Sequence, residues 1–276
     1  MIHAASRQAL DVLRERLNDA LSSLPTDGGA SNATLADELY AVAALLVEQP
    51  RLRRTLADPA TDASGRSELA RSLFAGQIEE PALDVVAVAV GQRWSSSWDL
   101  TDGLEIAADD TLLSAAEQQG TLDDVEDELF RIERILANSG DLVAALDEAA
   151  VPAERRIGLL KTLLDGKANP ITVQLLSHAV SSGRKRNLEL AIDDLLEASA
   201  ARRERSVARV ISAAELSSAQ TERLAAALTS MYGRPINVRS AVDPGIGGGL
   251  SVRVGDDVID ATVATRLANA RAALAG

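Results

Sequence analysis

Apolar residues recur every three or four positions through most of the chain, which is the spacing of one face of an α-helix. The first such stripe predicts a helix over residues 4–24 and consists of Leu10, Leu13, Leu17, Leu21 and Leu24. A loop rich in Pro, Gly and Asn follows at residues 25–32. Thr34, with Asp37 three residues later, is then the predicted N-cap of a second helix that reaches Glu48.

The helical pattern continues to about residue 205. A short helix is predicted after Pro50, and longer helices are predicted over residues 64–75 and 100–116. Residues 83–90 contain several valines and could form a strand, but their helical neighbours favour a buried helix. The last helix of this region, residues 187–205, ends in three arginines, whose charge complements the negative end of the helix dipole.

The helical region contains an internal repeat with an offset of 90 residues. The segment DELYAVAALLVEQPRLRRTL begins at Asp37, and the related segment DELFRIERILANSGDLVAAL begins at Asp127. The same offset pairs Arg66 with Arg156 in a later predicted helix. A single register that is kept across several helices indicates duplication of a helical unit rather than coincidence.

The repeat and a later change of pattern predict the domain organisation. An additional N-terminal helical bundle is predicted over residues 1–118, and a related bundle over residues 105–205 shares the helix near residues 104–119. From residue 206 the sequence alternates and is rich in β-branched residues, which predicts a separate small domain over residues 206–276. The fold class is therefore mainly α, with two tandem related helical bundles followed by a small α+β (βαββα) C-terminal domain.

The C-terminal domain is predicted in more detail. Residues 206–213 read as a strand, and Ser217 with Gln220 forms a capping box for the following helix. The residues predicted on the buried face of that helix are Leu224, Leu228 and Met231. Residues 235–242 read as a second strand. Residues 241–267 then read as the end of that strand, a glycine-rich turn, a strand, a tight turn, a short strand and a final helix.

The glycine-rich turn is a candidate ligand site. A dinucleotide-binding turn needs G-x-G-x-x-G between a strand and a helix, but here Leu250 takes the sixth position and a strand follows. The Gly-Lys-Ser/Thr of a phosphate-binding P-loop is also absent. The glycines are therefore predicted to serve a turn that needs positive φ angles, and a ligand-binding module is the less favoured alternative.

Groups suited to catalysis are scarce in this sequence. The only histidines are His3 and His178, so a Ser/His/Asp set would have to use one of them. His178 lies in an apolar helical stretch, where a partly exposed histidine is commoner than a ligand. Asp256 and Asp257 belong to a predicted hairpin turn, and Asp260 is the predicted cap of the final helix. No catalytic residue, cofactor or metal ion is predicted, and the pattern favours an adaptor protein.

Charge and composition narrow the class of partner. The formal net charge of −13 is uneven, at −10 for residues 1–119, −4 for residues 120–205 and +1 for residues 206–276. This acidity disfavours nucleic acid and anionic lipid as main partners. It either favours a partner with a basic surface or serves solubility alone. The basic cluster at residues 184–186 has no interleaved aromatic residues and is predicted to be solvated or to contact an acidic partner.

Membrane insertion and disulfides are not expected. The longest uncharged apolar run is residues 39–47, whereas a membrane-spanning helix needs about 20 residues. The N-terminus lacks the apolar region of a signal peptide. The chain has no cysteine, which excludes disulfides and thiolate chemistry.

The C-terminal stretch resembles the delta subunit family of F-type ATP synthase, called the oligomycin-sensitivity-conferring protein in mitochondria. The matching residues are Val242-Asp243-Pro244, Ile246-Gly247-Gly248, Gly255-Asp256, Val258-Ile259-Asp260 and Thr262. The resemblance is close over residues 206–274 and weaker over residues 105–205. An ordinary member would begin near residue 105, so the first bundle resembles an additional, divergent copy.

The resemblance implies a non-catalytic stator subunit of the peripheral stalk. The helical bundles are expected to hold N-terminal helices of the alpha subunits, and the C-terminal domain is expected to hold the b subunit, which together resist rotor torque during ATP synthesis. The expected location is the cytoplasmic face of the cell membrane, as a peripheral part of the complex. The family-signature residues, expected to be structural within a partner-facing domain, are Asp243, Pro244, Gly247, Gly248, Gly255, Asp256 and Asp260. A helical scaffold unrelated to ATP synthase is the alternative.

Overall fold

The structure is a computed structural model that describes residues 4–25, 29–148, 150–182, 188–205, 207–232, 236–254, 257–263 and 265. The chain divides into two compact units, residues 1–196 and residues 197–276. The boundary falls inside the last helix of the helical region. The described residues are mainly α-helical, with one small sheet near the C-terminus, and this confirms the predicted fold class.

The helical region consists of α-helices of 7 to 22 residues joined by short connections. Their bounds are α1 Ala4–Ser23, α2 Ala30–Glu48, α3 Pro50–Leu56, α4 Ala63–Phe74, α5 Glu80–Gly91, α6 Ser97–Gln118, α7 Leu122–Ala137, α8 Gly140–Asp147, α9 Ala153–Leu164, α10 Pro170–Ser181 and α11 Leu188–Arg205. The valine-rich segment is the buried helix α5, as predicted.

The start of α2 differs from the prediction. The N-cap is Gly29, which has a left-handed backbone with φ of 90°, and not Thr34. Thr34 lies inside the helix, where its hydroxyl donates to the carbonyl of Ala30 at 3.2 Å. A Cβ atom on Gly29 would lie 2.7 Å from Nε2 of Gln119. Because this glycine both packs closely and accepts a positive φ, the helix begins one turn earlier than the polar residues suggested.

The 90-residue repeat is visible in the helix bounds and in a half-buried carboxylate of each bundle. Helices α9 and α10 begin and end 90 residues after α4 and α5. In the first bundle, Oε1 of Glu38 accepts a hydrogen bond from the backbone N–H of Glu79 at 2.9 Å. In the second bundle, Oε2 of Glu128 accepts one from the N–H of Asn169 at 2.8 Å. Each carboxylate satisfies a free N–H at the start of a helix, since the first four N–H groups have no partner within the helix.

A repeated arginine closes each bundle in the same way. Arg66 donates to the carbonyl oxygen of Val90 at 2.9 Å, and Arg156 donates to that of Val180 at 2.8 Å. These carbonyls belong to the last turns of α5 and α10, where backbone acceptors lack partners within the helix. The two arginines therefore tie α4 to α5 and α9 to α10 by equivalent bonds.

Helix α6 is the common element of the helical unit. It contacts α1, α2, α3 and α5 from the preceding part of the chain and α7 and α10 from the following part. The leucines Leu100, Leu104, Leu112 and Leu113 of this helix are 0% exposed. A helix that is buried along its length and on most sides belongs in a core, so α6 joins the two bundles into one unit.

The C-terminal unit contains a four-stranded mixed sheet. Its elements are β1 Val207–Ser212, α12 Ser218–Tyr232, β2 Asn237–Val242, a 3₁₀ turn Pro244–Ile246, β3 Leu250–Val254 and β4 Asp257–Asp260. The strand order is β2-β1-β3-β4, in which β1 and β2 are parallel and the other pairs are antiparallel. All four segments that the sequence predicts as strands form strands, although the shorthand βαββα counts one strand fewer.

The core of this unit lies between the sheet and α12. Its fully buried members are Ala208, Val210, Leu228, Ile236, Val252 and Val254. The predicted capping box is present, because the backbone N–H of Ser217 donates to Oε1 of Gln220 at 2.9 Å and the N–H of Gln220 donates to Oγ of Ser217 at 3.3 Å. Met231 is 66% exposed, so its predicted burial is wrong. Tyr232, four residues after Leu228, packs on the core instead.

Several predicted features fall outside the described residues. They are His3, the basic cluster at residues 184–186, Gly255, Asp256 and residues 266–276 of the predicted final helix.

Candidate functional site

The glycine-rich turn of the C-terminal unit has a structural role. Gly247, Gly248 and Gly249 have φ angles of 69°, 129° and 82°, which disfavour residues with a Cβ atom. Asp243 begins the preceding 3₁₀ turn, and its Oδ1 accepts a hydrogen bond from the N–H of Gly245 at 2.8 Å. Pro244 is the first residue of that turn, where its missing N–H costs nothing.

The backbone of this turn is bonded to the segment that follows β4. The N–H of Val263 donates to the carbonyl of Gly248 at 2.9 Å, and the N–H of Ala261 donates to the carbonyl of Leu250 at 2.9 Å. A Cβ atom on Gly249 would lie 2.3 Å from the carbonyl oxygen of Ala261. Gly249 is therefore the most constrained glycine of the turn, although the family signature did not include it.

Asp260, the last residue of β4, accepts hydrogen bonds from the segment that follows this strand. Its Oδ1 accepts from the N–H of Thr262 at 2.9 Å, and its Oδ2 accepts from the hydroxyl of Thr265 at 2.7 Å. These hydrogen bonds, that from the Thr262 N–H first, lower the pKa of the exposed Asp260 carboxyl below its ordinary value. The helix that Asp260 is predicted to cap lies almost entirely outside the described residues, so its capping role stays a prediction.

An apolar groove lies on the second bundle, between α7, α8 and α9. It has a volume of about 320 Å³ and is lined mainly by leucine and isoleucine, with Glu128, Arg131 and Lys167 among the polar residues that contribute to it. Two of its apolar residues, Ile135 and Leu163, are 54% and 41% exposed. Such a groove can accept the apolar face of an amphipathic helix.

The first bundle carries larger side chains at two equivalent positions. The 90-residue offset places Phe74 where the groove has Leu164, and Trp98 where it has Leu188. Phe74 is 4% exposed, and the guanidinium of Arg53 lies 3.3 Å from the centre of the Trp98 ring. The two bundles are thus related in fold but differ in the surface that they offer at this place.

A second cleft, of about 450 Å³, lies where α2, α6 and α10 meet. The rings of Tyr40 and His178 stack there, with centroids 3.6 Å apart and planes 10° apart. The Tyr40 hydroxyl donates to Asp109, and Nε2 of His178 lies 3.6 Å from Oδ1 of Asp37. Gln174 donates to the same Asp37 oxygen at 2.8 Å. These contacts join the first bundle to the second through polar groups.

Burial controls the protonation of this stacked pair. Burial, and then the neighbouring Asp109 carboxylate, raise the pKa of the Tyr40 hydroxyl well above its ordinary value of 10.0. Burial lowers the pKa of His178 below 6.5, although the Asp37 carboxylate acts in the opposite direction. His178 is therefore neutral near pH 7. The sequence placed it only in an apolar helix and did not reveal the stack.

The described residues contain neither a metal-binding cluster nor a membrane-spanning helix. No group of three or more His, Asp or Glu residues in that part of the chain could hold a metal ion. No helix there is long and apolar enough to cross a membrane.

Helical bundles with an open apolar groove, followed along the chain by a compact sheet domain, are typical of a protein that binds other subunits. Comparison with known proteins identifies the family to which this chain belongs. Residues 110–274 match the family described as ATP synthase delta (OSCP) subunit. An ATP synthase subunit delta of Streptomyces griseus subsp. griseus is 44% identical over 275 residues, which is 100% of both chains. One from Nocardia farcinica is 42% identical over 274 residues, which is 99% of this chain and 100% of the relative.

The chain belongs to the ATP synthase delta (OSCP) subunit family, and it is a non-catalytic peripheral-stalk subunit of F-type ATP synthase. Among solved structures, it is similar to a chain in the cryo-EM structure of the Toxoplasma gondii mitochondrial ATP synthase hexamer. That match has 21% identity and a TM-score of 0.28, and it covers 61% of this chain and 95% of the other.

Family membership decides between the alternatives raised by the sequence. A helical scaffold unrelated to ATP synthase is excluded, and the resemblance to the delta subunit is confirmed. The two curated relatives align with nearly the whole chain, so they too contain the N-terminal region that precedes the family match at residue 110.

Proposed function

We propose that this subunit links the catalytic head of the ATP synthase to the b-subunit stalk through separate surfaces. The helical bundles hold N-terminal helices of the alpha subunits, and the C-terminal domain holds the end of the b subunit. The protein works as a peripheral component on the cytoplasmic face of the cell membrane. In this arrangement the subunit resists rotor torque while the complex synthesises ATP.

The open groove of the second bundle carries this proposal. Leucine and isoleucine line about 320 Å³ between α7, α8 and α9, and exposed apolar surface of this kind marks a site for a partner. Helix-in-groove binding uses apolar anchors every three or four residues of the bound helix. The acidity of residues 1–119, with a net charge of −10, supports the approach of a basic partner surface by steering its encounter.

The repeat supplies a matched pair of variants for a binding test. Leu163 lines the groove of the second bundle, and Leu73 is its equivalent in the first; their exposures are 41% and 39%. We expect Leu163→Asp to weaken binding of an alpha-subunit N-terminal peptide about tenfold or more, because a carboxylate would enter an apolar contact. Isothermal calorimetry with the full chain measures this.

The control variant shows which of the two bundles binds the alpha peptide. Leu73→Asp should change the affinity for the alpha peptide less than twofold, if the second bundle holds it. Loss of binding in Leu73→Asp alone would assign the peptide to the first bundle. Equal affinities in both variants and the unaltered chain would show that neither position contacts it.

The domain assignment is tested by removing residues 206–276. We expect the shortened chain to lose binding to the b subunit and to keep binding to the alpha peptide. This result would assign stalk binding to residues 206–276. It would assign alpha binding to the part of the chain that contains the two proposed bundles, residues 1–118 and 105–205. Undiminished binding to the b subunit would contradict this assignment.

The signature residues serve this function by ordering the stalk-binding domain. Asp243, Pro244, Gly247, Gly248 and Asp260 shape the turns around β3 and β4 through the bonds described above. This role predicts that substitution of these five residues changes folding of the domain before it changes any contact. The other two signature residues, Gly255 and Asp256, lie outside the described residues.

A further inference from the structure

Three arginines lie side by side across the C-terminal sheet. Arg209 on β1 pairs with Arg239 on the parallel strand β2 and with Arg253 on the antiparallel strand β3. All three are exposed. Because directly paired residues point to the same face of a sheet, the three side chains form one lateral row, with neighbouring strands about 4.8 Å apart.

The row lies on the face of the sheet that does not carry α12. The alternate residues Ala208 and Val210 of β1 belong to the core together with Leu228 of α12. Arg209 lies between them in the strand, so it points to the other face. Beside the row on this open face is Ile211, which is 40% exposed.

Like charges directly opposite each other destabilise a sheet, so the stability of the domain does not explain this row. None of the three arginines forms an ion pair or a hydrogen bond to another side chain in the part of the chain that the structure describes. Residues 206–276 have a net charge of +1, whereas residues 1–119 and 120–205 have −10 and −4. The domain that is proposed to bind the stalk is thus the one segment of the three whose net charge is not negative.

We propose that this arginine row is the seat for the acidic face of an α-helix, contributed by the b subunit of the peripheral stalk. The proposal rests on the proposed function of the C-terminal domain and adds the face and the chemistry of the contact. Carboxylates at positions i, i+4 and i+7 of a helix repeat every 5–6 Å. This repeat is close to the strand spacing of about 4.8 Å, so such a helix would lie across the strands and pair one carboxylate with each arginine.

The charge of the whole chain argues for a protein helix over a polyanion. Phosphate groups would also bind arginine, but a nucleic acid or an anionic membrane would meet the field of a protein with a net charge of −13. A helix that carries only a short acidic stripe is repelled less. Ile211 and Val258, 40% and 53% exposed, flank the row and offer apolar contact to the rest of such a helix.

Charge reversal in the full chain tests the row. The probe is the b subunit without its membrane-spanning segment. We expect Arg209→Glu to weaken binding about tenfold at low salt, through the loss of one ion pair and repulsion of the facing carboxylate, and to reduce the salt dependence of the affinity. The control is Arg223→Glu, because Arg223 is equally charged and exposed but lies on α12; its affinity should change less than twofold.

A neutral variant separates binding from folding. Arg209→Gln combined with Arg239→Gln and Arg253→Gln removes the repulsion within the row, so its unfolding temperature should stay equal or rise while binding falls at least as far as in Arg209→Glu. If this variant and Arg209→Glu bind the b subunit as well as the unaltered chain does, the row is not the seat, although the domain assignment stands.

A second probe distinguishes failure of the arginine-row proposal from failure of the proposed function. It is a synthetic helix with glutamates at i, i+4 and i+7, compared with its glutamine counterpart. Preference for the glutamate helix that is lost in Arg209→Glu supports the row, even if the b subunit fails to bind and the proposed function is wrong. Equal binding of both helices overturns the proposal. So does row-dependent binding that appears only with duplex DNA or phosphatidylglycerol vesicles.

Discussion

The ring of Tyr40 in α2 stacks on the ring of His178 in α10, with the two centroids 3.6 Å apart, and so joins the first helical bundle to the second. His178 is largely buried in this contact, and burial lowers its pKa below 6.5. Between the folded-state pKa and 6.5, the unfolded chain binds more protons than the folded chain does. The stabilising effect of neutral His178 is therefore complete above about pH 6.5 and is lost as the pH falls toward the folded-state pKa.

We expect the unfolding free energy to fall between pH 7 and pH 5 more steeply in the natural chain than in His178→Phe. Phenylalanine keeps a ring against Tyr40 and cannot take up a proton. Urea denaturation at several pH values measures both slopes, and the carboxylates that titrate in this range are common to both proteins. Equal slopes would show that His178 does not contribute to the pH dependence.

The repeated arginines should differ in their contribution to stability. Arg66 is 4% exposed and donates to five backbone carbonyls, which are those of Asp58, Thr61, Val90, Gly91 and Gln92. Arg156 is less buried and donates to three, which are those of Leu146, Val151 and Val180. Arg66→Met should cost about 3 kcal/mol, because several buried acceptors lose their donor, and Arg156→Met should cost about half of that.

Denaturant unfolding of both variants measures this difference. Arg155→Met is the control, since Arg155 is the exposed neighbour of Arg156 and should change stability by less than about 0.5 kcal/mol. A larger loss for Arg156→Met than for Arg66→Met would contradict the ranking.

Replacement of two neighbouring glycines of the glycine-rich turn by alanine should have different effects on stability. Gly249→Ala should destabilise the C-terminal unit by more than about 2 kcal/mol, because the new Cβ atom would meet the Ala261 carbonyl oxygen and φ is positive. Gly247→Ala should cost about 1 kcal/mol, since only its φ of 69° is unfavourable and no other atom lies within 4 Å.

Hydrogen exchange of the β3 amides, residues 250–254, reports on this unit within the full chain. Faster exchange should appear in Gly249→Ala and much less in Gly247→Ala. Gly140→Ala is the control, because Gly140 begins α8, has open space around it and should leave exchange in β3 unchanged. Equal effects at positions 247 and 249 would mean that the clash with Ala261 is relieved at little cost.

The shared helix α6 predicts that the second bundle depends on the first. Removal of residues 1–96 would uncover apolar surface on α6, whose Leu100, Leu104 and Leu112 are 0% exposed. Each leucine that becomes fully solvated costs about 1.5–3 kcal/mol. We expect the shortened chain to self-associate in sedimentation velocity and to melt at a lower temperature than the full chain. A monomer that melts at the same temperature would show that the second bundle is independent.

Much of the fold was predictable from local patterns. Apolar spacing identified the helices, including the valine-rich α5, and the capping box at Ser217 and Gln220 located the start of α12. These features depend on contacts between residues a few positions apart, which the sequence shows directly. Met231 was misplaced because a helical face is only approximately periodic, and the end of α12 turned Tyr232 to the core instead.

The groove and the arginine row were not predictable in the same way. Arg209, Arg239 and Arg253 are dispersed along the chain, and only the strand order β2-β1-β3 places them in one row. The groove depends on whether the side chains of three packed helices leave space between them. Both features are set by which elements become neighbours, and this information is absent from any single stretch of sequence.

Tyr40 and Phe130 show most clearly what the sequence determines and what the tertiary structure decides. The repeat gives them equivalent positions on α2 and α7. The sequence by itself determined that each is an aromatic residue on a helix, since helical spacing is a local property. Only the tertiary structure decided their surroundings: Tyr40 is 8% exposed and packs against His178, whereas Phe130 is 51% exposed. The physical reason is that burial depends on what packs against a helix, and α10 of the second bundle covers Tyr40.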